Sequence, residues 1–324
     1  QPSRSQSDIL DVLVVGAGPN GIKIANQLSD LKVALIDKDG ICGGLHRLPG
    51  DFMLASETQE NLGISLDKPH DYLISVNDLT AYFERFNQVP FYQQEVLSVS
   101  GQDGNFTVKT NKQEFQAKKV VLATGVMSHP KPTPYDASNA HRYISHESLK
   151  NQKLIIIGGG DTAALAVLRH YKDNEIHWVL RSSVQRMQDK IFRLWKDKIP
   201  PILDQLNVYP ETQVESIAEN MCLLDSGQKI NFDQCFVLIG YQPDYNLLNK
   251  ICVNVDKRGM PEHNLTHCET NIPGLYLGGI VMGKANVDGV VKIPFLKDAD
   301  IIAENITTNI RQHLNESSAS LQAI

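Results

Sequence analysis

Two stretches of the chain repeat one hydropathy pattern: a run of apolar, mostly β-branched positions, a cluster of glycines, then apolar residues at helical spacing. The first, Asp11 to Leu28, reads DVLVVGAGPNGIKIANQL. Its opening run, Asp11 to Val15, predicts a strand buried on both faces, and the residues after Gly21 predict a helix. A further apolar run, Val33 to Ile36, ends in Asp37. The second stretch, Gln152 to Arg169, reads QKLIIIGGGDTAALAVLR and begins about 140 residues later. It is followed by the strand-like run Ile176 to Leu180. Such a duplication predicts an α/β chain of two similar halves.

The pattern between and after these stretches differs. Asp78 to Phe86, DLTAYFERF, has helical periodicity. From Val89 onward polar and apolar positions alternate in EVLSVSGQDGNFTVKTNKQEFQAKKVVLAT, which predicts three strands, a small β-meander placed before the strand Lys119 to Ala123. The proline-rich HPKPTPYD that follows marks a domain boundary. Asn231 to Gly240 and Leu275 to Ile280 read as further buried strands, and Asp298 to Leu314 as a helix covering a sheet.

Each glycine cluster has a mechanical reading. Gly16, Gly18 and Gly21 stand at GxGxxG spacing, which suits a tight turn, a backbone open to a pyrophosphate, and close packing of helix on strand. A phosphate placed there meets unpaired N–H groups at the positive end of the helix dipole. Asp37, about 20 residues on, is placed for a ribose hydroxyl. Gly158, Gly160 and Ala163 repeat the design as GxGxxA. The strand after them ends not in an acid but in Arg181, with Arg186 and Arg193 beyond, which suits the extra phosphate of NADP. A solvated basic face is the plainer reading of these arginines.

Charge and cysteine content narrow the picture. The net charge of −6 offers no basic surface on which a nucleic acid could release counterions. No apolar run reaches the roughly 20 residues of a membrane span, and QPSRSQSD lacks a signal-peptide core, so a soluble, cytoplasmic protein is expected. Cys42, Cys222, Cys235, Cys252 and Cys268 include no CxxC pair and no metal-ligand cluster, which suits a reducing compartment.

With both glycine motifs, Asp37, Cys42-Gly43-Gly44 and Ala123-Thr124-Gly125 in hand, the chain resembles the two-dinucleotide-binding flavoproteins, in particular the low-molecular-weight thioredoxin-reductase-like branch. The resemblance implies two Rossmann-like domains. Residues 8–128 plus 245–314 would form a discontinuous FAD domain around an NAD(P)H domain of residues 129–244, with 315–324 as a tail. FAD and NADPH are the implied cofactors. The implied FAD contacts are Gly16, Gly18, Pro19, Asn20, Gly21, Asp37, Lys38, Gly43, Gly44, Leu45, Val96, Ala123, Thr124, Gly125, Gly279 and Ile280. Gly158, Gly160, Asp161, Thr162, Ala163, Arg181, Ser182 and Arg186 are the implied nicotinamide-nucleotide contacts.

Departures from the family limit what is carried over. The redox-active CxxC of thioredoxin reductases is missing, and Gly279-Ile280 stands where the family has Gly-Asp, an acid on the flavin ribitol. The bacillithiol-disulfide-reductase-like proteins also lack CxxC, and IGYQPDY and LASETQENLGI look like theirs. Their cysteine beside the first glycine motif is Asn20 here. A partial class B flavin monooxygenase signature competes, running from Tyr135 to His141, with Ala137 in place of its glycine and Ser145 in place of its final aromatic residue.

Hydride transfer from NADPH to FAD, with electrons passed to a small molecule or an acceptor protein such as a ferredoxin, is the first expectation. A compact NADPH-dependent monooxygenase and a non-catalytic redox-sensing flavoprotein are the others. The sequence allows a homodimer without dictating one. Cys42 is the candidate thiol if its pKa is lowered beside the flavin; a buried inert thiol is the plainer reading. His46 and His141 are proton-donor candidates, and Lys284, Asp288 and Lys292 flank the returning segment.

Overall fold

A computed structural model describes residues 9–55, 73–191, 196–283, 285–287, 290–292 and 299–322. Lys284, Asp288, Arg193 and most of LASETQENLGI lie outside the described residues. In chain order the first strands are β1 (Leu10–Val15), β2 (Val33–Asp37), β3 (Met53–Ala55), β4 (Leu73–Ser75), β5 (Phe91–Gln93), β6 (Val96–Gln102), β7 (Asn105–Thr110) and β8 (Glu114–Leu122). Then come β9 (Lys153–Ile157), β10 (Glu175–Val179), β11 (Asn207–Tyr209), β12 (Val214–Ile217), β13 (Met221–Leu224), β14 (Lys229–Asn231), β15 (Gln234–Val237), β16 (Leu275–Leu277), β17 (Ala285–Val287) and β18 (Val290–Lys292). The helices are α1 (Pro19–Gln27), α2 (Val76–Phe86), α3 (Asp161–His170), α4 (Val184–Lys190), α5 (Tyr245–Ile251) and α6 (Ala299–Gln322).

The chain divides into two compact units, one from the described parts of Gln1–His46, Met53–Ser128 and Gln242–Ile324, the other from those of Arg47–Phe52 and His129–Tyr241. In the first, β5, β2, β1 and β8 lie side by side, all parallel, and β16 joins the far edge of β8. Val12, Leu13, Val14, Leu35, Ile36 and Val120 to Leu122 are essentially inaccessible. Continuous apolar runs are what a parallel sheet buried on both faces requires. Ala303, Ile306 and Ile310 of α6 are fully buried in the same core.

The meander is not a separate insertion. Its third strand and the parallel strand after it are one element, β8, because no glycine or proline interrupts Glu114 to Leu122. The first half of β8 pairs antiparallel with β7, and Val120 to Leu122 pair in parallel with β16. One strand therefore serves two neighbours along the same edge.

The second unit repeats the parallel plan in the order β11, β10, β9, β15, beside an antiparallel sheet of β12, β13 and β14. Asn231 to Gly240 is not one strand: Asn231 closes β14 and β15 starts at Gln234. Likewise the strand from Leu275 stops at Leu277, since Gly279 has φ +78°.

Candidate functional site

In the first unit, Gly16 ends β1 with φ +106°, and its N–H donates to the Ile36 carbonyl at 2.7 Å. A Cβ added there would lie 2.2 Å from the Ala123 carbonyl oxygen, and one at Gly21 would lie 1.9 Å from that of Gly16. Both positions are glycine for packing within the protein. Gly18 differs: it caps α1 with ordinary extended backbone and no side-chain cap, and a Cβ added there meets nothing within 4 Å. The first turn of α1 carries no acid, and Pro19 supplies no N–H. The helix thus presents its positive end to an open cradle, a fit for a pyrophosphate.

Asp37, at the end of β2, reaches back to this turn. One carboxylate oxygen accepts the Ala17 N–H at 2.7 Å, the other the Asp39 N–H at 2.8 Å. Burial raises its pKa while those two N–H groups pull it down. Each oxygen keeps a lone pair for a ribose diol. Beyond Asp37 a cleft of about 500 Å³ is lined by Lys38, Asp39, Gln93 to Glu95, Asn111 and Lys112. It is polar, and Val96 follows its wall at the start of β6. Gln94 is oriented by the Thr110 hydroxyl, which donates to its side-chain oxygen at 2.7 Å.

The loop after β2 encloses the candidate thiol. Cys42 holds φ +54° and donates its N–H to Ala17 at 2.8 Å, with 1% of its surface exposed. Burial, and then the carboxylates of Asp37 and Glu84, push its thiol up to about 12. The lowered pKa that thiolate chemistry needs is therefore reversed. Gly43 is required by its own turn, since a Cβ would lie 2.4 Å from the Asp39 Cβ, whereas a Cβ at Gly44 would make an ordinary 3.5 Å contact with Met127. Leu45 and His46 fall in a short 3-10 turn, with His46 exposed.

Ala123, Thr124 and Gly125 leave the end of β8, with Ala123 bonded to the Val15 carbonyl at 2.7 Å. Gly278 bonds to Leu122 at 2.9 Å, which brings Gly279 against Asn20: a Cβ at Gly279 would lie 2.8 Å from the Asn20 side chain. Ile280 reaches to 3.9 Å from a Cβ placed on Gly125. The ends of β1, β8 and β16 thus converge on the start of α1.

The second unit has its own cradle. Gly158, at φ +139°, would place a Cβ 2.2 Å from the Leu238 carbonyl, and the buried Trp178 indole donates to the Gly158 carbonyl at 2.8 Å. Gly160 caps α3 without a side-chain cap, and a Cβ there also meets nothing within 4 Å. Asp161 and Thr162 open α3, and Ala163 is fully buried. Helix α4, after β10, comes alongside: Met187 lies 3.6 Å from a Cβ placed on Gly159. Arg181 in the loop after β10 and Arg186 in α4 are exposed, and among the described residues neither guanidinium forms an ion pair. Ser182 accepts a backbone bond from Glu211, and Ser183 caps α4.

His141 belongs to this second unit. Its backbone pairs along β15, and its ring stacks on Phe236 at a centroid distance of 4.9 Å. His170 stacks on the same ring at 6.2 Å, and burial, then Arg169, lowers its pKa to about 4. Spacing gave no sign of this stack or of the polar cleft, whose walls come from strand ends far apart in sequence. Among the described residues no cluster of His, Cys, Asp and Glu could hold a metal, and no helix is long and apolar enough to cross a membrane.

Known proteins match most of the length of the chain. The family model described as pyridine nucleotide-disulphide oxidoreductase matches residues 13–279. Bacilliredoxin reductase Bdr of Bacillus subtilis is 24% identical over 296 residues, 86% of this chain and 91% of that protein. Among solved structures, bacillithiol disulfide reductase Bdr from Bacillus cereus superposes with a TM-score of 0.81 at 22% identity, covering 93% of this chain and 99% of that one. A flavin-containing monooxygenase from Stenotrophomonas maltophilia gives 0.72 at 18% identity, covering 95% and 99%.

Proposed function

The chain belongs to the pyridine nucleotide-disulphide oxidoreductase family, and we propose that it takes reducing equivalents from NADPH onto FAD and delivers them directly to an external acceptor, a small molecule or a redox protein. When bound, the two cofactors supply the redox chemistry, a hydride passing from nicotinamide to flavin. The chain's residues bind and orient. Gly18 and the start of α1 would hold the FAD pyrophosphate, Asp37 its ribose, and the cleft from Lys38 to Lys112 its adenine end. Gly160 would hold the NADPH pyrophosphate, and Arg181 with Arg186 the 2′-phosphate.

One observation carries the direct delivery. All five cysteines are free, and Cys42, Cys222, Cys235 and Cys268 are buried, with burial pushing each thiol upward. A dithiol relay needs two neighbouring thiols, one of them a thiolate near neutral pH, and this chain has no such pair to offer. An acceptor must therefore reach the flavin itself. Unpaired cysteines in this number suit a reducing compartment.

The test is anaerobic stopped-flow reduction of the yellow protein by NADPH and by NADH, then mixing with oxygenated buffer or with candidate disulfides and ferredoxin. Rapid bleaching by NADPH, with direct return to oxidised flavin when an acceptor is added, supports the proposal. Return through a long-lived absorbing species in oxygen alone would replace it with the monooxygenase reading. Reduction far slower than about 1 per second, the low end of ordinary turnover, would point to a sensor.

A further inference from the structure

The first peptide of each glycine turn is held in place, but from opposite ends. In the first unit Val15 pairs with Ile36, and in the second Ile157 pairs with Val179, so Leu35 and Asp37 correspond to Trp178 and Leu180. At the first turn the Asp37 carboxylate accepts the Ala17 N–H at 2.7 Å, which settles the peptide between Gly16 and Ala17 and occupies its donor. Leu180 can accept nothing at the second turn. There the peptide between Gly158 and Gly159 is held by its carbonyl, to which the Trp178 indole donates at 2.8 Å. Leu35, at the corresponding place in the first unit, has no donor to offer. The Trp178 bond is buried, and the side chain has no exposed surface.

Holding the carbonyl decides where the neighbouring donor points. Among the described residues no peptide is cis, and in a trans peptide C=O and N–H point in opposite directions. With the Gly158 carbonyl turned inward onto Trp178, the Gly159 N–H is turned away from the core, and among the described residues nothing accepts it. The next residue is Gly160, where a Cβ meets nothing within 4 Å. A peptide flanked by two glycines swings freely unless something holds it, and the indole is what holds this one. We infer that Trp178 is a positioning residue for the nicotinamide nucleotide, fixing the Gly158–Gly159 peptide so that the Gly159 N–H donates to the nucleotide's pyrophosphate. This rests on the reading of the second cradle as the NADPH site. The pyrophosphate offers only acceptors near neutral pH, and a donor already aimed at it has no ordering to undergo on binding.

Trp178→Phe keeps an aromatic body and removes the indole N–H. Isothermal titration of the FAD-loaded protein with NADP+, NAD+ and 2′-AMP separates the parts of the site, because 2′-AMP carries the 2′-phosphate but no pyrophosphate. The dissociation constants for NADP+ and NAD+ should rise together by about 3- to 10-fold, the loss of one hydrogen bond, while that for 2′-AMP stays within about twofold. Unchanged affinity for NADP+ overturns the inference. Equal weakening of all three ligands makes Trp178 a packing residue and overturns it as well. A measurement on the wild type decides the matter even where the variant does not fold: in isotope-labelled protein the Gly159 amide proton resonance should move downfield on adding NADP+ and stay in place with 2′-AMP. An amide that does not respond to NADP+ overturns the inference. A wild-type chain that takes up FAD but binds neither NADP+ nor NAD+ overturns the proposed function, and this inference with it.

Discussion

Gly16 and Gly18 are two residues apart, yet the structure requires glycine at each for a different reason, so alanine should separate folding from binding. At Gly16, alanine must adopt φ +106° and place its Cβ 2.2 Å from the Ala123 carbonyl oxygen. A positive φ costs a side-chain-bearing residue about 1–3 kcal/mol, and forcing the turn away from β8 adds about 1–3 kcal/mol. The total of about 2–6 kcal/mol lowers the melting temperature of a unit this size by about 5–20 °C. At Gly18 the backbone is extended and a Cβ meets nothing within 4 Å. The loss of glycine at a helix cap and the gain from a stiffer unfolded chain nearly cancel there. Gly18→Ala should therefore leave the apoprotein melting within about 2 °C of wild type, while its methyl group fills the cradle. Losing one charge-assisted bond from backbone to phosphate, about 1.5–3 kcal/mol, raises the FAD dissociation constant roughly 10- to 150-fold. Differential scanning fluorimetry of flavin-stripped protein reads the first quantity, and fluorescence quenching on titrating FAD reads the second. Equal destabilisation by the two substitutions, or unimpaired FAD binding by Gly18→Ala, would refute the assignment of the cradle.

Three further outcomes follow from the site. Arg181→Ala with Arg186→Ala should raise KM for NADPH by about two to four orders of magnitude and leave that for NADH within about twofold, since charge-assisted phosphate bonds are worth about 1.5–3 kcal/mol each; steady-state kinetics with both nucleotides checks it, and a parallel rise for NADH would refute it. Iodoacetamide at pH 8 should label the exposed Cys252 first and leave Cys42, whose thiol sits at about 12, unmodified in the native state by peptide mass mapping; Cys42→Ala should keep flavin reduction within about threefold of wild type. His170, lowered from 6.5 to about 4, is held neutral in the fold, so the unfolded chain binds the extra proton first as pH falls. Its contribution to stability is full above 6.5 and is lost on descending towards 4; urea midpoints at pH 7 and pH 5 should differ less in His170→Phe than in wild type.

The parallel cores were legible because their signal is local. Val12 to Val15 and Leu154 to Ile157 are apolar at every position, which only a strand covered on both faces tolerates, and glycines follow each at once. What was not legible depends on partners distant in sequence. The continuity of β8 is set by its two neighbours: β7 precedes it directly, but β16 comes more than 150 residues later. The cysteine after β2 looked like a candidate for chemistry because it stands in a glycine-rich loop. Its character is decided first by its burial, with the Ala17 carbonyl holding its backbone, and then by the Asp37 and Glu84 carboxylates. His141 was a candidate by type alone, and its ring is occupied by Phe236, 95 positions away.

The two glycine turns also show why one motif ends in glycine and the other in alanine. In the first, the helix position three residues after Gly18 lies so close to the strand end that a Cβ would sit 1.9 Å from the Gly16 carbonyl oxygen and 3.3 Å from the Ala123 Cβ. In the second, the Cβ is present, and it lies 3.4 Å from where a Cβ on Gly158 would stand, at the tight end of ordinary contact. Helix α3 accommodates a methyl group at the position where α1 has no room for one. The spacing rule identifies both turns because both keep the open middle glycine, Gly18 and Gly160, and both keep a first glycine that a neighbouring carbonyl would strike at 2.2 Å. The third position reports only how closely helix and strand approach, which is a matter of packing. The Gly21→Ala variant should thus behave like Gly16→Ala, losing apoprotein stability, while Ala163→Gly should leave nucleotide affinity nearly unchanged and cost about 1 kcal/mol through helix propensity alone.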